Sequence, residues 1–261
     1  MGMTKVQKEW FESLLSAHQK IAPVASLEST CGAITVDEAY AVQRMMIEER
    51  CKAGERIVGW KVGATSQAVM EQLGINEPVY GRMTSSSLHS PDVPAKVSDF
   101  CRMAIEGEIA FVMGRDLRGP GISPADVLTA TAGIMGAVEL VDCRINGWKP
   151  TVAEIIADNA LHAGVILGPI QVPAAGLDLQ GEGVALKKNG RLLARAHGTE
   201  ALGNPSHVVT WLVNTLANFG HEIRGGDIIL TGSLTKYFFV SPGDTVDVSF
   251  SNLGEIHFIV A

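Results

Sequence analysis

Three glutamates carry the sharpest chemical signal in this chain. Glu106 and Glu108 lie in Ile105-Glu106-Gly107-Glu108-Ile109, and Glu139 lies in the apolar run Ala137-Val138-Glu139-Leu140-Val141. If Ile105–Met113 is a strand, residues two apart share a face. Glu106 and Glu108 then point one way, and Ile105, Ile109 and Phe111 the other. Adjacent carboxylates repel, and each raises the other's pKa unless a cation sits between them. A carboxylate amid apolar neighbours, as Glu139 is, also requires a partner. Three such groups meeting at a point make a hard-oxygen site for Mg2+ or Mn2+, with water in the remaining positions. The alternative is that Glu106 and Glu108 line a solvated strand face while Glu139 pairs with an arginine or a lysine.

Lys61 is the second point, in Gly59-Trp60-Lys61-Val62-Gly63-Ala64-Thr65-Ser66. An ammonium next to a helix start at Thr65 or Ser66 favours a carboxylate anion. The plainer reading is a surface lysine on a tight turn. Thr231-Gly232-Ser233 follows a short apolar run and either presents backbone amides to a ligand or simply turns the chain. Asp142 falls on the face opposite Glu139, which predicts a structural role. Asp158-Asn159 reads as a helix stop. His162, His197 and His207 have no metal-ligand spacing and are expected to be satisfied structural histidines. Nucleophile-elbow, phosphate-loop and dinucleotide motifs are lacking in the required strand-to-helix context.

Helices and strands must position these groups. Val6, Trp10, Phe11, Leu14 and Leu15 recur at helical spacing. Thr35 and Glu38 form a capping box for a second helix that ends near Ala53-Gly54. Gly59–Gly63 predicts a short strand, and Thr65 or Ser66 caps a short helix ending at Gly74. Beyond Ile105 strands dominate: Ile105–Met113, Ile134–Asp142, His162–Leu167, Asp227–Leu230, Thr245–Phe250 and Glu255–Val260. Val184–Lys188 and Leu192–Ala196 flank Asn189-Gly190, a strong hairpin signal. Ser123-Pro124 and Asn204-Pro205 open helices, with proline at the first helical position, and Thr151 with Glu154 caps Val152–Ala157. The reading is an α+β chain with a helix-rich part over 1–95 and a β-rich catalytic part over 96–261.

Composition narrows the function. The 261 residues are 46% hydrophobic and 19% charged, which excludes disorder as the main state. Apolar runs fall short of the roughly 20 residues of a membrane helix, and no signal segment opens the chain. A net charge of −7 argues against nucleic acid as a partner. Cys31, Cys51, Cys101 and Cys143 lie far apart, which argues against zinc and disulfides and suggests a cytoplasmic enzyme.

In order along the chain, several segments together resemble the hydratase/decarboxylase group of the fumarylacetoacetate hydrolase superfamily. They are Gly59-x-Lys61-x-Gly63-x-Thr65-Ser66, Glu106-Gly107-Glu108-Ile109-Ala110-Phe111, Gly119-Pro120-Gly121, Glu139-x-Val141-Asp142-x-Arg144, Ala157-Asp158-Asn159-Ala160, Leu202-Gly203-Asn204-Pro205 and Gly226-Asp227-x-Ile229-Leu230-x-Gly232-Ser233. The resemblance implies a mixed β-roll with a helix-rich N-terminal part, in a homo-oligomer. It implies Mg2+ or Mn2+ on Glu106, Glu108 and Glu139, with Lys61 and Tyr80 as catalytic groups. Thr65, Ser66, Val79, Asn159 and Ser233 would surround a small 2-oxo or 2-hydroxydienoate acid. The implied activity is hydration of a 2-hydroxy-2,4-dienoate, as in 2-keto-4-pentenoate hydratases of aromatic meta-cleavage catabolism. The alternatives are 4-oxalocrotonate decarboxylation, or a non-catalytic partner subunit associated with a sister hydratase or decarboxylase. Hydratases carry an aspartate where this chain has Val79, and Ala104 stands where the family tends to carry a basic residue, with Arg102 nearby. C–C bond hydrolysis would need a histidine upstream of the glutamates, and His89 is the candidate.

Overall fold

The computed structural model describes residues 3–261. Three helices come first: α1 (Lys5–Lys20), α2 (Leu27–Cys31) and α3 (Val36–Lys52). The strands β1 (Ile57–Gly63), β2 (Val79–Thr84) and β3 (Leu88–His89) follow, with α4 (Gln67–Leu73) between the first two. Next come β4 (Ala104–Met113), α5 (Pro124–Ala130), β5 (Thr131–Val141), α6 (Val152–Ala157) and β6 (His162–Val172). The chain closes with β7 (Gly183–Lys188), β8 (Arg191–His197), α7 (Pro205–Ala217), β9 (Ile228–Leu230), β10 (Phe238–Phe239), β11 (Thr245–Phe250) and β12 (Glu255–Ile259).

Local chemistry sets the helix starts. Thr4, Thr35, Ser123 and Thr151 each head a reciprocal capping box, and Ser66 caps α4. Gly74 ends α4 in the left-handed conformation that glycine adopts without a Cβ penalty.

An eight-stranded sheet runs β2-β1-β9-β4-β5-β6-β3, with β10 paired to β4, and a four-stranded sheet runs β12-β11-β7-β8. β4 buries Ile105, Ile109 and Phe111 against Val184, Leu186, Val246 and Val248 of the smaller sheet and against α7. Its other face carries the glutamates and Ala110, which packs with Met83, Ala137, Val165 and Leu230. The helical layer packs Trp10, Leu14, Val42 and Met46 on Val79, Cys143, Ile145 and Ala157.

The helix-rich character of the N-terminal part is confined to α1–α3. Residue 95 does not separate two sheets, because β1, β2 and β3 precede it yet pair with β9 and β6 of the large sheet. Strand pairing satisfies backbone groups regardless of distance along the chain.

One close approach is demanding. A Cβ on Gly81 would lie 2.5 Å from Asn159 O and 2.9 Å from Asn159 Oδ1. Gly81→Ala is therefore expected to lower the unfolding free energy by about 1–3 kcal/mol, the usual overpacking cost. Urea unfolding followed by circular dichroism checks this, and an unchanged midpoint would contradict the packing described.

Candidate active site

Cross-strand register builds the site. Glu106 pairs directly with Glu139 between β4 and β5, and directly paired residues share a face. Glu108 lies two residues along β4 on the same side. One carboxylate oxygen from each of the three lies within 4.8 Å of the others. Lys61 belongs to β1, separated from β5 by β9 and β4. In a flat sheet that separation is about 14 Å, yet Lys61 Nζ stands 3.1 Å from Glu139 Oε2. The sheet therefore curls around the glutamates and brings the lysine over them.

Each side chain is held from a second direction. Lys61 Nζ donates to Ala160 O at 2.8 Å. The carbonyl is offered by Asn159, Ala160 and Leu161, three successive residues with φ between 53° and 62°. Left-handed backbone at such residues costs about 1–3 kcal/mol each and persists where surrounding structure enforces it. Gly232 N donates to Glu108 Oε2 at 2.9 Å. Gly232 has φ 88°, and a Cβ there would collide with the Thr65 side chain, so glycine is required at this corner. His162 Nδ1 lies 2.7 Å from Glu139 Oε1. A carboxylate accepts, so Nδ1 carries the proton and Nε2 is the free lone pair.

The electrostatics are unbalanced in a way that calls for a cation. Glu139 stays ionised: burial opposes its charge, but the Lys61 ammonium and the His162 hydrogen bond outweigh burial and hold its pKa below the ordinary carboxylate value. Lys61 is pushed upward, because the three glutamates overcome its burial. Burial and the Glu139 charge push Glu106 up to about 7 and Glu108 well above its ordinary value, against the pull of Lys61. Glu108 Oε1 is buried with no hydrogen-bond partner, and Glu139 Oε2 has only the lysine beside it. Buried carboxylate oxygens are rarely left so. Three carboxylates, one ammonium and an orphaned oxygen fit a divalent ion of the hard-oxygen class.

Proton competition follows from these shifts. Glu106 and Glu108 hold protons through the acid range and release them near and above neutrality, so a metal ion must displace those protons at low pH. Mn2+ affinity is expected to rise from pH 5 to pH 8, by up to tenfold per pH unit for each proton displaced. Calorimetric titrations across that range check the slope, and a pH-independent affinity would contradict it.

The other residues expected at the site fall in different places. Val79 pairs with Gly63, and its methyl lies 3.6 Å from where a Cβ on Gly63 would stand, beside the Lys61 ammonium. Thr65 is buried against Gly232. Ser66 Oγ accepts from Val69 N as the cap of α4, and Ser233 Oγ donates to Thr235 O. Asn159 uses both ends of its amide on the Arg82 backbone, accepting at 2.8 Å and donating at 2.8 Å, so it fixes β2 and leaves its side chain no free donor toward a ligand along that edge.

The expectation for Tyr80 is corrected. Tyr80 pairs with Val62, one residue out of step with Lys61 and Gly81, so its ring leaves the opposite face of the sheet. It stacks on Tyr40 with centroids 4.4 Å apart and lies 5.9 Å from Trp60. Burial pushes its hydroxyl up to about 12. It is a packing residue, remote from the glutamates. His89 lies against Gly164, which pairs with Leu140, on the face away from Glu139. The histidine required for C–C hydrolysis is thereby missing from this position.

His162 is the residue that sequence reasoning missed. Simple alternation back from Val165, the partner of Glu139, turns His162 away from the site. A bulge between Leu140 and Val141 places Val141 opposite His162 and skips Ala163, and bulges re-aim side chains in this manner. Its Nε2 has no partner, so it is not a satisfied structural histidine. Asp142 does have a structural role, accepting from the Cys101 and Arg102 amides.

A curled mixed sheet with a carboxylate trio and a lysine on its inner face defines a metal-centred site of the kind the resemblance implied. Residues 60–261 match the fumarylacetoacetate (FAA) hydrolase C-terminal family, and the chain belongs to that family. It is 35% identical over 246 residues to a 2-hydroxyhexa-2,4-dienoate hydratase of Comamonas testosteroni, covering 94% of this chain and 92% of that one. It is 34% identical over 255 residues to a 2-keto-4-pentenoate hydratase of Paraburkholderia xenovorans, covering 97% and 95%. Among solved structures, the 4-oxalocrotonate decarboxylase of Pseudomonas putida G7, complexed with magnesium and adipate, superposes with a TM-score of 0.94 at 31% identity, covering 100% of this chain and 99% of that one. Among the described residues, no helix is long and apolar enough to cross a membrane.

Proposed function

We propose that this chain is a divalent-metal-dependent lyase that adds water to a 2-hydroxy-2,4-dienoate in aromatic catabolism. The observation that carries this reading is the carboxylate trio within 4.8 Å, capped by Lys61 and holding an orphaned oxygen on Glu108. Glu106, Glu108 and Glu139 would hold Mg2+ or Mn2+, which supplies Lewis acidity to the 2-oxygen of the substrate and stabilises negative charge there. Lys61 is charged, buried and fixed by Ala160 O. It holds the substrate carboxylate or moves a proton at Nζ. His162 keeps Glu139 oriented, as partners of metal-binding groups do. The dienol is protonated to an unsaturated ketone, and water then adds at the far carbon to give a 4-hydroxy-2-oxo acid.

A second reading is decarboxylation of 4-oxalocrotonate, and Val79 favours it. An apolar side chain beside Lys61 offers no proton where hydratases of the family carry an aspartate. The intact trio weighs against a non-catalytic partner subunit. Homo-oligomeric assembly, association with a sister enzyme and a cytoplasmic location belong to this proposal through the resemblance alone.

The test supplies 2-hydroxypenta-2,4-dienoate and 2-oxo-3-hexenedioate with Mg2+ or Mn2+, following dienol absorbance and CO2 release. Loss of the dienol without CO2 supports hydration, and CO2 release supports the second reading. Turnover of neither refutes both.

A further inference from the structure

One segment runs the length of the glutamate face and ends in an aromatic cluster that the chemistry above does not use. Gly232 N holds Glu108, Leu234 N donates to Gly107 O, and Thr235 Oγ1 accepts from Gly107 N. The segment then pairs with β4, setting Phe238 opposite Ile105 and Phe239 opposite Ala104. Directly paired residues share a face, so Phe239 stands on the side of Ala104, Glu106 and Glu108. It is two residues from Glu106, or about 7 Å along the strand. Tyr237, Phe239 and Trp148 form a mutual cluster, with Trp148 4.7 Å from Phe239 and 5.1 Å from Tyr237 between ring centroids.

Two polar groups at this cluster lack partners. The Arg102 guanidinium lies over the Phe239 ring, 3.5 Å from its centroid. Its side chain makes no ion pair among the described residues. Trp148 Nε1 is a buried donor with nothing to donate to. A planar cation held flat on an aromatic ring keeps its N–H edge free for a carboxylate. Ala104, between Arg102 and Glu106, has only a methyl and does not block the path between them.

We propose that Arg102, on its Phe239 platform and with Trp148 Nε1, receives the far carboxylate of a dicarboxylic substrate, making this a site for 2-oxo or 2-hydroxydienoate diacids. The proposal rests on the metal-dependent reading above and deepens it by naming the substrate class. It holds for hydration and for decarboxylation alike.

Calorimetry on the Mn2+-loaded protein tests it with oxalate, 2-oxobutanoate and 2-oxoadipate. The wild type is expected to bind 2-oxoadipate at least tenfold more tightly than 2-oxobutanoate. Arg102→Ala should bring the two within about twofold while leaving oxalate affinity unchanged. Arg102 is exposed, so its loss leaves the fold intact. Trp148→Phe keeps the ring and removes the N–H, and should cost 2-oxoadipate about threefold. A wild type that does not prefer the diacid, or an Arg102→Ala variant that keeps the preference, overturns the proposal. Failure of oxalate to bind any form overturns the metal-dependent reading itself, and this one with it.

Discussion

Glu108→Gln is expected to abolish Mn2+ binding and lower turnover on the order of a thousandfold, the rate equivalent of several kcal/mol of lost charge stabilisation. The same variant should leave the metal-free protein at least as stable as the wild type at pH 8. Glutamine still accepts from Gly232 N, and its amide donates toward Glu139. Glu108 is held above its ordinary pKa by burial and by Glu139. A group raised in this way contributes stability that is present below its unfolded pKa and is lost as pH rises through the folded one. The advantage of the glutamine variant should therefore grow from pH 5 to pH 8. Conversely, Mn2+ at a hundred times its dissociation constant should stabilise only the wild type, by about 2.7 kcal/mol. At roughly 2–4 °C per kcal/mol for a chain of this size, differential scanning calorimetry resolves the effect. A glutamine variant that is still stabilised by Mn2+ would remove Glu108 from the metal site.

Lys61→Met should be the most damaging single change to the metal-free fold. Lys61 and Glu139 form a buried pair at 3.1 Å, and removing one partner strands the other's charge. Breaking such a pair costs about 3–5 kcal/mol, which lowers the melting temperature by roughly 10 °C. Mn2+ should recover part of that loss, because a cation beside Glu139 replaces the missing ammonium. Turnover should fall at least about a hundredfold through loss of the proton-handling group. Equal melting temperatures with and without Lys61 would mean that the pair contributes nothing to the fold.

Much of this architecture was legible in residue order. Thr35 with Glu38, Thr151 with Glu154, and Ser123-Pro124 marked helix starts, because capping chemistry is local. The alternation of Ile105, Ile109 and Phe111 against Glu106 and Glu108 placed the two carboxylates together, since a strand's period is local too. What eluded sequence reasoning was set by pairing. Tyr80 and Lys61 lie on opposite faces only because β1 and β2 pair Lys61 with Gly81. No property of Val79-Tyr80-Gly81 alone announces that register. His162 reaches Glu139 through a bulge, which alternation cannot foresee. Asn159 was read among ligand contacts, but its amide is consumed by the Arg82 backbone.

The three-residue β9 lies between β1 and β4. Until Ile228–Leu230 has been synthesised, the lysine strand and the glutamate strand have nothing to join them, and the Gly232 amide is absent. Pairings this distant in sequence form late. A ribosome-bound chain therefore cannot acquire its ion during translation, and loading awaits release of nearly the whole polypeptide. A premature stop codon before Ile228 would yield no partly competent product, and an affinity for metal would report completed biogenesis.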